Sequence, residues 1–203
     1  MLSINHHSLK KAILLLSVLF YSGLIISQNK IEWHEEIELK LEDFKSESSQ
    51  IGDINIYSLR SSTSIGFNYH MTNGEFMFTK NFNKMVSCEF DIEASSLIAP
   101  DSVYAQSLLS FANYEFDLTE LHCRLFRKEL YERKKAFSPQ NFYQPIYDEI
   151  NRIYARRHGE AAKLTDIGRN NELLEKLHQE VKSELLALSD FCKNCTPPKK
   201  RKK

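Results

Sequence analysis

Apolar and polar positions alternate with a period of two through the first half of the chain. The clearest alternation runs from Ile65 to Met71 and ends at Asn73-Gly74, after which apolar residues resume at 75–79. Asn-Gly between two such runs is the strongest short hairpin signal, so we expect a β-hairpin there. Val86, Cys88 and Phe90 form one face of a further predicted strand. The pattern predicts a mainly antiparallel sheet with one buried face.

The period changes after Pro100, where apolar residues begin to recur at helical spacing. Asp101 or Ser102 can cap a helix start. Neither Gly nor Pro follows until Pro139, so the pattern predicts a helix of about 30 residues and about 50 Å. Apolar residues lie on two of its sides, and we expect its first half to be buried nearly all round.

Two further helices are predicted after the long one. Ser138-Pro139 is typical of an N-cap followed by a first-turn proline, and Asn170 or Asn171 is the predicted start of the last helix. A sheet followed by helices is an α+β arrangement, here an N-terminal sheet packed on a long central helix that precedes two more.

Length and composition favour one folded domain. The chain has 203 residues, of which 42% are hydrophobic and 27% charged, enough for one ordinary core. We expect a single domain over residues 28–190 and a Cys-containing basic tail over residues 191–203.

Residues 1–27 have the layout of a secretory signal peptide. Lys10 and Lys11 precede a largely apolar run from Ala12 to Ile26, which ends before a polar segment. The alternative is an uncleaved membrane anchor, but the run is shorter than the roughly 20 residues that a spanning helix needs. The sequence therefore predicts export to the periplasm or the extracellular space.

The charge balance argues against a nucleic-acid surface. Lys plus Arg and Asp plus Glu each number 27, and removal of residues 1–27 takes away two Lys, leaving a net charge of −2. Five of the remaining basic residues are 199–203, so the body up to Pro198 is near −7. In a cytoplasmic protein the basic tail would indicate nuclear import; after export, weak attraction to anionic envelope surfaces is the functional alternative to a solvated tail. The partner predicted is an unidentified protein or envelope component.

Four segments occur in an order that resembles the domain-of-unknown-function 922 family, which consists of exported bacterial proteins regarded as zinc-dependent peptidases of the zincin type. The resemblance spans roughly Trp33 to Leu188. It is carried by Leu39–Lys45, by Thr63–Gly66, by a central frame that comprises Leu108-Leu109, Phe116-Asp117, Glu120, Arg124 and Arg127-Lys128, and by Leu164–Asn170. The resemblance implies a zincin-like core.

The family's zinc-binding residues are replaced in this frame. His-Glu-x-x-His places two zinc ligands on one helix face with a general base between them. Phe111 and Glu115 stand at the two His positions, Ala112 at the base, and Ile167 at the downstream His. The resemblance therefore implies a zinc site that this chain has lost. We expect no zinc, no other cofactor and no peptidase activity, and a binding or structural role.

A rebuilt hydrolytic site is the alternative, with chemistry around Glu115, His122 or His158. Glu115 and His122 lie seven residues apart on one helix face, about 10 Å along the axis, too far to share one ion. If the alignment were shifted, His158-Gly159 could stand for the family's His-Gly. The rebuilt site requires these side chains to converge in one cleft.

The four cysteines could form two disulfides in an oxidising compartment. Cys192 and Cys195 have redox-motif spacing, but they follow the last helix rather than begin one, so a structural disulfide is favoured. Cys88 and Cys123 are predicted either to be bridged or to be two buried free thiols.

Two groups of side chains are interpreted as structural. One group has the spacing of ion pairs along a helix: Glu120, Arg124, Arg127 and Lys128. The other consists of aromatic side chains that are expected to belong to the sheet core: Trp33, Phe67, Tyr69, Phe76 and Phe78.

Overall fold

The computed structural model describes residues 29–198; the predicted signal segment 1–27 and the basic run 199–203 lie outside them. These residues form an α+β fold, as predicted. The strands within them are β1 Lys30–Glu32, β2 Gln50–Ile51, β3 Ser58–Arg60, β4 Thr63–Phe67, β5 Val86–Asp91 and β6 Ser96–Ala99. The α-helices are α1 Asn73–Phe78, α2 Ser102–Arg133, α3 Gln144–Thr165 and α4 Asn171–Ala187.

The strands form two three-stranded sheets rather than the single sheet predicted. The first has the order β1-β5-β4 and is antiparallel throughout. The second has the order β2-β6-β3, in which β2 pairs in parallel and β3 antiparallel with β6. The alternation of Val86, Cys88 and Phe90 is confirmed, since all three are buried in β5 between its two partner strands.

The predicted hairpin at Asn73-Gly74 is wrong, because these residues begin helix α1. Thr72 and Glu75 form a capping box, in which each side chain bonds the other residue's backbone N–H. The local cap overrides the turn preference of Asn-Gly. As a result Phe76 is buried, whereas Phe78 is 83% exposed and does not belong to a sheet core.

The long central helix is confirmed. Helix α2 has 32 residues, and Asp101 caps it by accepting hydrogen bonds from the N–H groups of Val103 and Tyr104. Both sheets contact α2, as do α3 and α4, which bury most of its middle. Helix α3 begins at Gln144, later than the Ser138-Pro139 start predicted, because Pro145 takes the first-turn position.

The residues after α4 pack back on the body. Asn83 donates through Nδ2 to the carbonyls of Cys192 and Cys195 at 3.1 and 3.0 Å, and the Tyr131 hydroxyl donates to Pro198 O at 3.1 Å. None of the helices in residues 29–198 is both long and apolar enough to cross a membrane.

Candidate functional site

Of the helix positions where the family would have its zinc site, Phe111 and Glu115 face α3 or the turn after it, whereas Ala112 packs in the larger cluster that includes the sheets. Phe111, Ala112 and Glu115 are all buried. Phe111 and Ile167 belong to the same hydrophobic cluster, which α2, α3 and α4 share. The structure thus brings together helix positions and a loop position that are more than 50 residues apart in the sequence.

A close backbone contact fixes the turn that carries Ile167. Asp166 and Ile167 both have positive φ, and Gly168 follows at φ +95°. A Cβ at Gly168 would lie 2.2 Å from Ser107 O and 3.3 Å from Phe111 Cβ, so only glycine allows this approach to α2. The turn therefore lies directly against the helix one turn before Glu115.

Glu115 is paired with His158 of helix α3. Glu115 Oε1 makes a short contact with His158 Nε2. The carboxylate side chain is 8% exposed and the imidazole 32%, so the pair joins a buried oxygen to a ring at the surface. Glu115 Oε2 makes no hydrogen bond of normal geometry, although the nearby Ser61 hydroxyl acts to lower the carboxyl pKa.

Both members of the pair have raised pKa values. Burial raises the pKa of Glu115, and the contact with His158 acts against it. The bond to Glu115 raises the pKa of His158, because the carboxylate favours the imidazolium. A proton held between the two groups is the state that both shifts favour.

His122 does not join this pair. Its Nδ1–H donates to Leu118 O at 2.8 Å, and its ring packs edge-on against Tyr154 at 5.4 Å. Tyr154 stacks on His158 from its other side, at 5.7 Å. Burial lowers the pKa of His122, which keeps the ring neutral. Of the three residues considered for a rebuilt site, the structure brings together Glu115 and His158 alone.

A second polar region lies further along α2, around Glu120. Glu120 Oε1 accepts from Arg124 Nε at 3.0 Å and from Arg127 Nη1 at 2.7 Å. The ion pairs expected from helical spacing are therefore present, but the three side chains are at most 3% exposed, so the pairs are buried. They are buried because the first sheet and the chain around α4 cover this part of the helix. Spacing along one helix does not indicate which other elements cover it.

Backbone carbonyls complete this region. Arg124 Nη1 donates to Leu185 O at 2.7 Å, and Arg127 Nη2 donates to Val86 O at 2.8 Å. Arg127 Nε alone among these donors has no partner. The two guanidinium groups therefore tie α2 to strand β5 and to the end of α4.

Asp117 makes a third polar link that the sequence did not reveal. Trp33 Nε1 donates to Asp117 Oδ1 at 2.7 Å, and His178 Nε2 meets Asp117 Oδ2 at 2.7 Å. The guanidinium of Arg124 lies 5.2 Å from the Trp33 ring centre. Asp117 belongs to the central frame of the sequence resemblance. Its partners, Trp33 at the end of β1 and His178 in α4, are far from it in the sequence, so no local pattern predicts these contacts.

A cavity of about 380 Å³ opens beside the Glu120 region. Its lining includes Cys88, Glu120, both arginines and, from the C-terminal segment, Cys192. Cys192 and Cys195 form a disulfide with each other, which is one of the structural pairings left open for them. Cys88 and Cys123 are buried free thiols in the structure, the second of the two states considered for them.

Comparison with known proteins adds no relative. No protein-family model matches the chain, and neither a curated protein nor a solved structure is similar to it. The relation to the 922 family therefore stays a prediction that the four sequence segments carry.

Proposed function

We propose that the protein is an exported, non-catalytic member of the zincin-type 922 family that acts as a binding or structural module. The observation that carries the proposal is the pairing of Glu115 with His158 at the place where the frame expects zinc ligands. This pair links α2 to α3, a connection that a bound ion would make in an active relative.

The side chains around the pair favour loss of hydrolysis. A catalytic zinc site needs three protein ligands and a position for water. Phe111 and Ile167 pack in an apolar cluster and offer no ligand atom, and Ala112 supplies no base. Glu115 and His158 provide at most two ligands, fewer than the inherited mechanism uses.

The zincin-like core is part of the same proposal. A long helix that packs on an antiparallel sheet and meets a downstream turn beside its metal-ligand positions fits that architecture, and helix α2, the sheet β1-β5-β4 and the turn at Ile167 have this relationship.

Restoring the four family residues tests the frame. The variant Phe111→His, Ala112→Glu, Glu115→His, Ile167→His should bind one Zn²⁺ more than the wild-type chain, because it recreates both helix ligands, the base and the third ligand. The wild-type chain should leave casein uncut with or without zinc. Chelator-sensitive cleavage of casein by the wild-type chain would contradict the proposal, and a folded restored variant without the extra Zn²⁺ would contradict the zincin-like frame.

A second candidate is a hydrolase that uses Glu115 and His158 as an acid–base pair. The observation that favours it is the contact between a buried carboxylate and an imidazole that reaches the surface. It requires that ester or amide hydrolysis by the purified chain be abolished both by Glu115→Gln and by His158→Gln. Equal background rates for all three chains would eliminate it.

For partners, we propose a protein or envelope component, with weak contact to anionic surfaces through residues 199–203. Binding to vesicles that contain an anionic lipid should disappear on deletion of these five residues and in high salt. Binding that persists in salt would rule out this contact.

A further inference from the structure

Cys88, Glu120 and Cys123 bring three ligand atoms together inside the protein. Glu120 and Cys123 are three residues apart on α2 and so share a helix face, and Cys88 reaches them from strand β5. One atom from each side chain lies within 4.8 Å of the other two, and all three residues are buried. Among residues 29–198, this is the one such group of ligand-type side chains.

The ligand atoms are only weakly engaged. Cys88 Sγ lies 3.8 Å from Phe116 O, and Cys123 Sγ lies 3.4 Å from Ser87 O. Thiols are weak donors, so loss of these contacts costs little. Glu120 Oε1 accepts hydrogen bonds from both arginines, whereas Oε2 accepts one long hydrogen bond of 3.4 Å from Arg127. One carboxylate oxygen and two sulfurs can therefore each bind a further partner.

The cluster is reachable from outside. Cys88 and Glu120 line the cavity of about 380 Å³, and the exposed residue His34 lies at its wall. An ion could therefore enter through this cavity, and water from it could take the position that the protein leaves open.

We propose that Cys88, Cys123 and Glu120 form a binding site for a thiophilic metal ion, with Zn²⁺ as the best-fitting candidate. Thiolate sulfur and carboxylate oxygen both bind zinc, and three protein ligands with an open fourth position match the ligand count of a catalytic zinc site. Zn–S bonds of about 2.3 Å at a tetrahedral angle place two sulfurs about 3.8 Å apart, so atoms that lie within 4.8 Å of one another need to move by about 1 Å or less.

Two arginines beside the cluster offset the negative charge that the metal site would carry. Binding releases the two thiol protons to water, so that Zn²⁺ with two thiolates and one carboxylate carries one net negative charge. Arg124 and Arg127, which already contact Glu120, lie beside that charge. They would hold the carboxylate in place as bonded partners of the ligand.

This site is separate from the proposed loss of the family's zinc site. Glu115 is five residues before Glu120 on α2, and its partner is His158 rather than a cysteine. The two proposals can therefore succeed or fail independently.

Binding of Co²⁺ as a spectroscopic probe tests the proposal. The full chain, with the Cys192–Cys195 disulfide intact and two free thiols confirmed by titration, should bind one Co²⁺ with sulfur-to-metal charge-transfer absorption, and Zn²⁺ should displace it. Cys88→Ser and Cys123→Ser should each weaken binding at least tenfold. The matched control Glu115→Gln, which changes a buried carboxylate of the same helix outside the cluster, should bind as the wild-type chain does.

A second measurement covers the case in which the cysteine variants fail to fold. Zn²⁺ should slow alkylation of Cys88 and Cys123 in the folded wild-type chain, as mapped by peptide mass spectrometry. Absence of charge-transfer absorption, binding unchanged in Cys88→Ser, or alkylation unaffected by Zn²⁺ would each overturn the proposal. A purified chain in which Cys88 and Cys123 are already joined by a disulfide would overturn it as well.

Discussion

Two regions of the central helix bury a carboxylate, and they differ in how that charge is satisfied. Glu120 meets two buried arginines, each of which also donates to a backbone carbonyl. Glu115 meets one imidazole, itself about one-third exposed, while its second oxygen makes no normal hydrogen bond. The first arrangement joins α2 to the sheet and the chain end, and the second joins it to α3 alone.

The difference separates a carboxylate in an almost fully paired network from one that is only partly compensated. Buried charges are retained without penalty when partners surround them, and the Glu120 region meets that condition almost completely. The Glu115 region meets it only in part, because a single neighbour compensates the carboxylate and its second oxygen makes no normal hydrogen bond. We infer that Glu120 is required for folding and that Glu115 is tolerated.

Removal of the Glu120 carboxylate should have the largest effect. Glu120→Leu leaves two buried arginines without an acid and should lower the free energy of unfolding by about 3–5 kcal/mol, measured by urea denaturation. The matched control is Glu149→Ala, which breaks an exposed pair with Arg152 and should leave stability unchanged. A loss below about 1 kcal/mol for Glu120→Leu would remove the distinction between the two regions.

A methyl group at Gly168 should have the next largest effect. Gly168→Ala requires positive φ and would place Cβ 2.2 Å from Ser107 O, so the turn must move away from α2. We expect a loss of about 2 kcal/mol or more. The control Gly159→Ala, in helix α3 with open space around its Cα, should stabilise the chain by about 0.5–1 kcal/mol. Equal changes in the free energy of unfolding for the two variants would show that the turn at Gly168 does not pack closely against α2.

The Glu115–His158 pair should contribute less than either of these. Glu115→Gln, His158→Gln and the double variant form a cycle whose coupling energy we expect at about 1–2 kcal/mol near pH 6, measured by urea denaturation. A coupling of zero would mean that the pair does not hold α3 on α2.

The same coupling should depend on pH with a definite sign. The pKa of His158 is raised in the folded chain by Glu115. Its contribution is therefore complete below about pH 6.5, the ordinary pKa of His, and is lost as pH rises through the raised folded pKa. Burial raises the pKa of Glu115, so this group also makes stability fall as pH rises, but the effect is separate from the coupling, because the contact with His158 lowers that pKa. Glu115→Gln should flatten this part of the stability profile; a coupling that grows with pH would contradict the assignment.

Periodic patterns and strong caps were enough to predict the elements that depend on local sequence. The strand at Val86–Asp91, the helix from Ser102 and the last helix from Asn171 all follow from spacing and capping residues. The error at Asn73-Gly74 arose because two local signals compete there, and the capping box of Thr72 and Glu75 determines the structure.

The site could be predicted only in part. The frame placed Phe111, Ala112, Glu115 and Ile167 together through resemblance, but the contact of Glu115 with His158 joins two helices at a separation of 43 residues. Periodicity along one helix carries no information on which neighbour covers each face. For the same reason the spacing of Glu120, Arg124 and Arg127 indicated ion pairs without indicating that they are buried.

Zinc content measured on the Cys88→Ser/Cys123→Ser chain tests the central claim most directly, because this variant removes the proposed thiolate site and leaves the Glu115 region intact. After incubation with Zn²⁺ and dialysis, elemental analysis should find no zinc above the buffer level. One bound equivalent that disappears on the further change Glu115→Gln would show that a metal ion binds at Glu115, and would contradict the account.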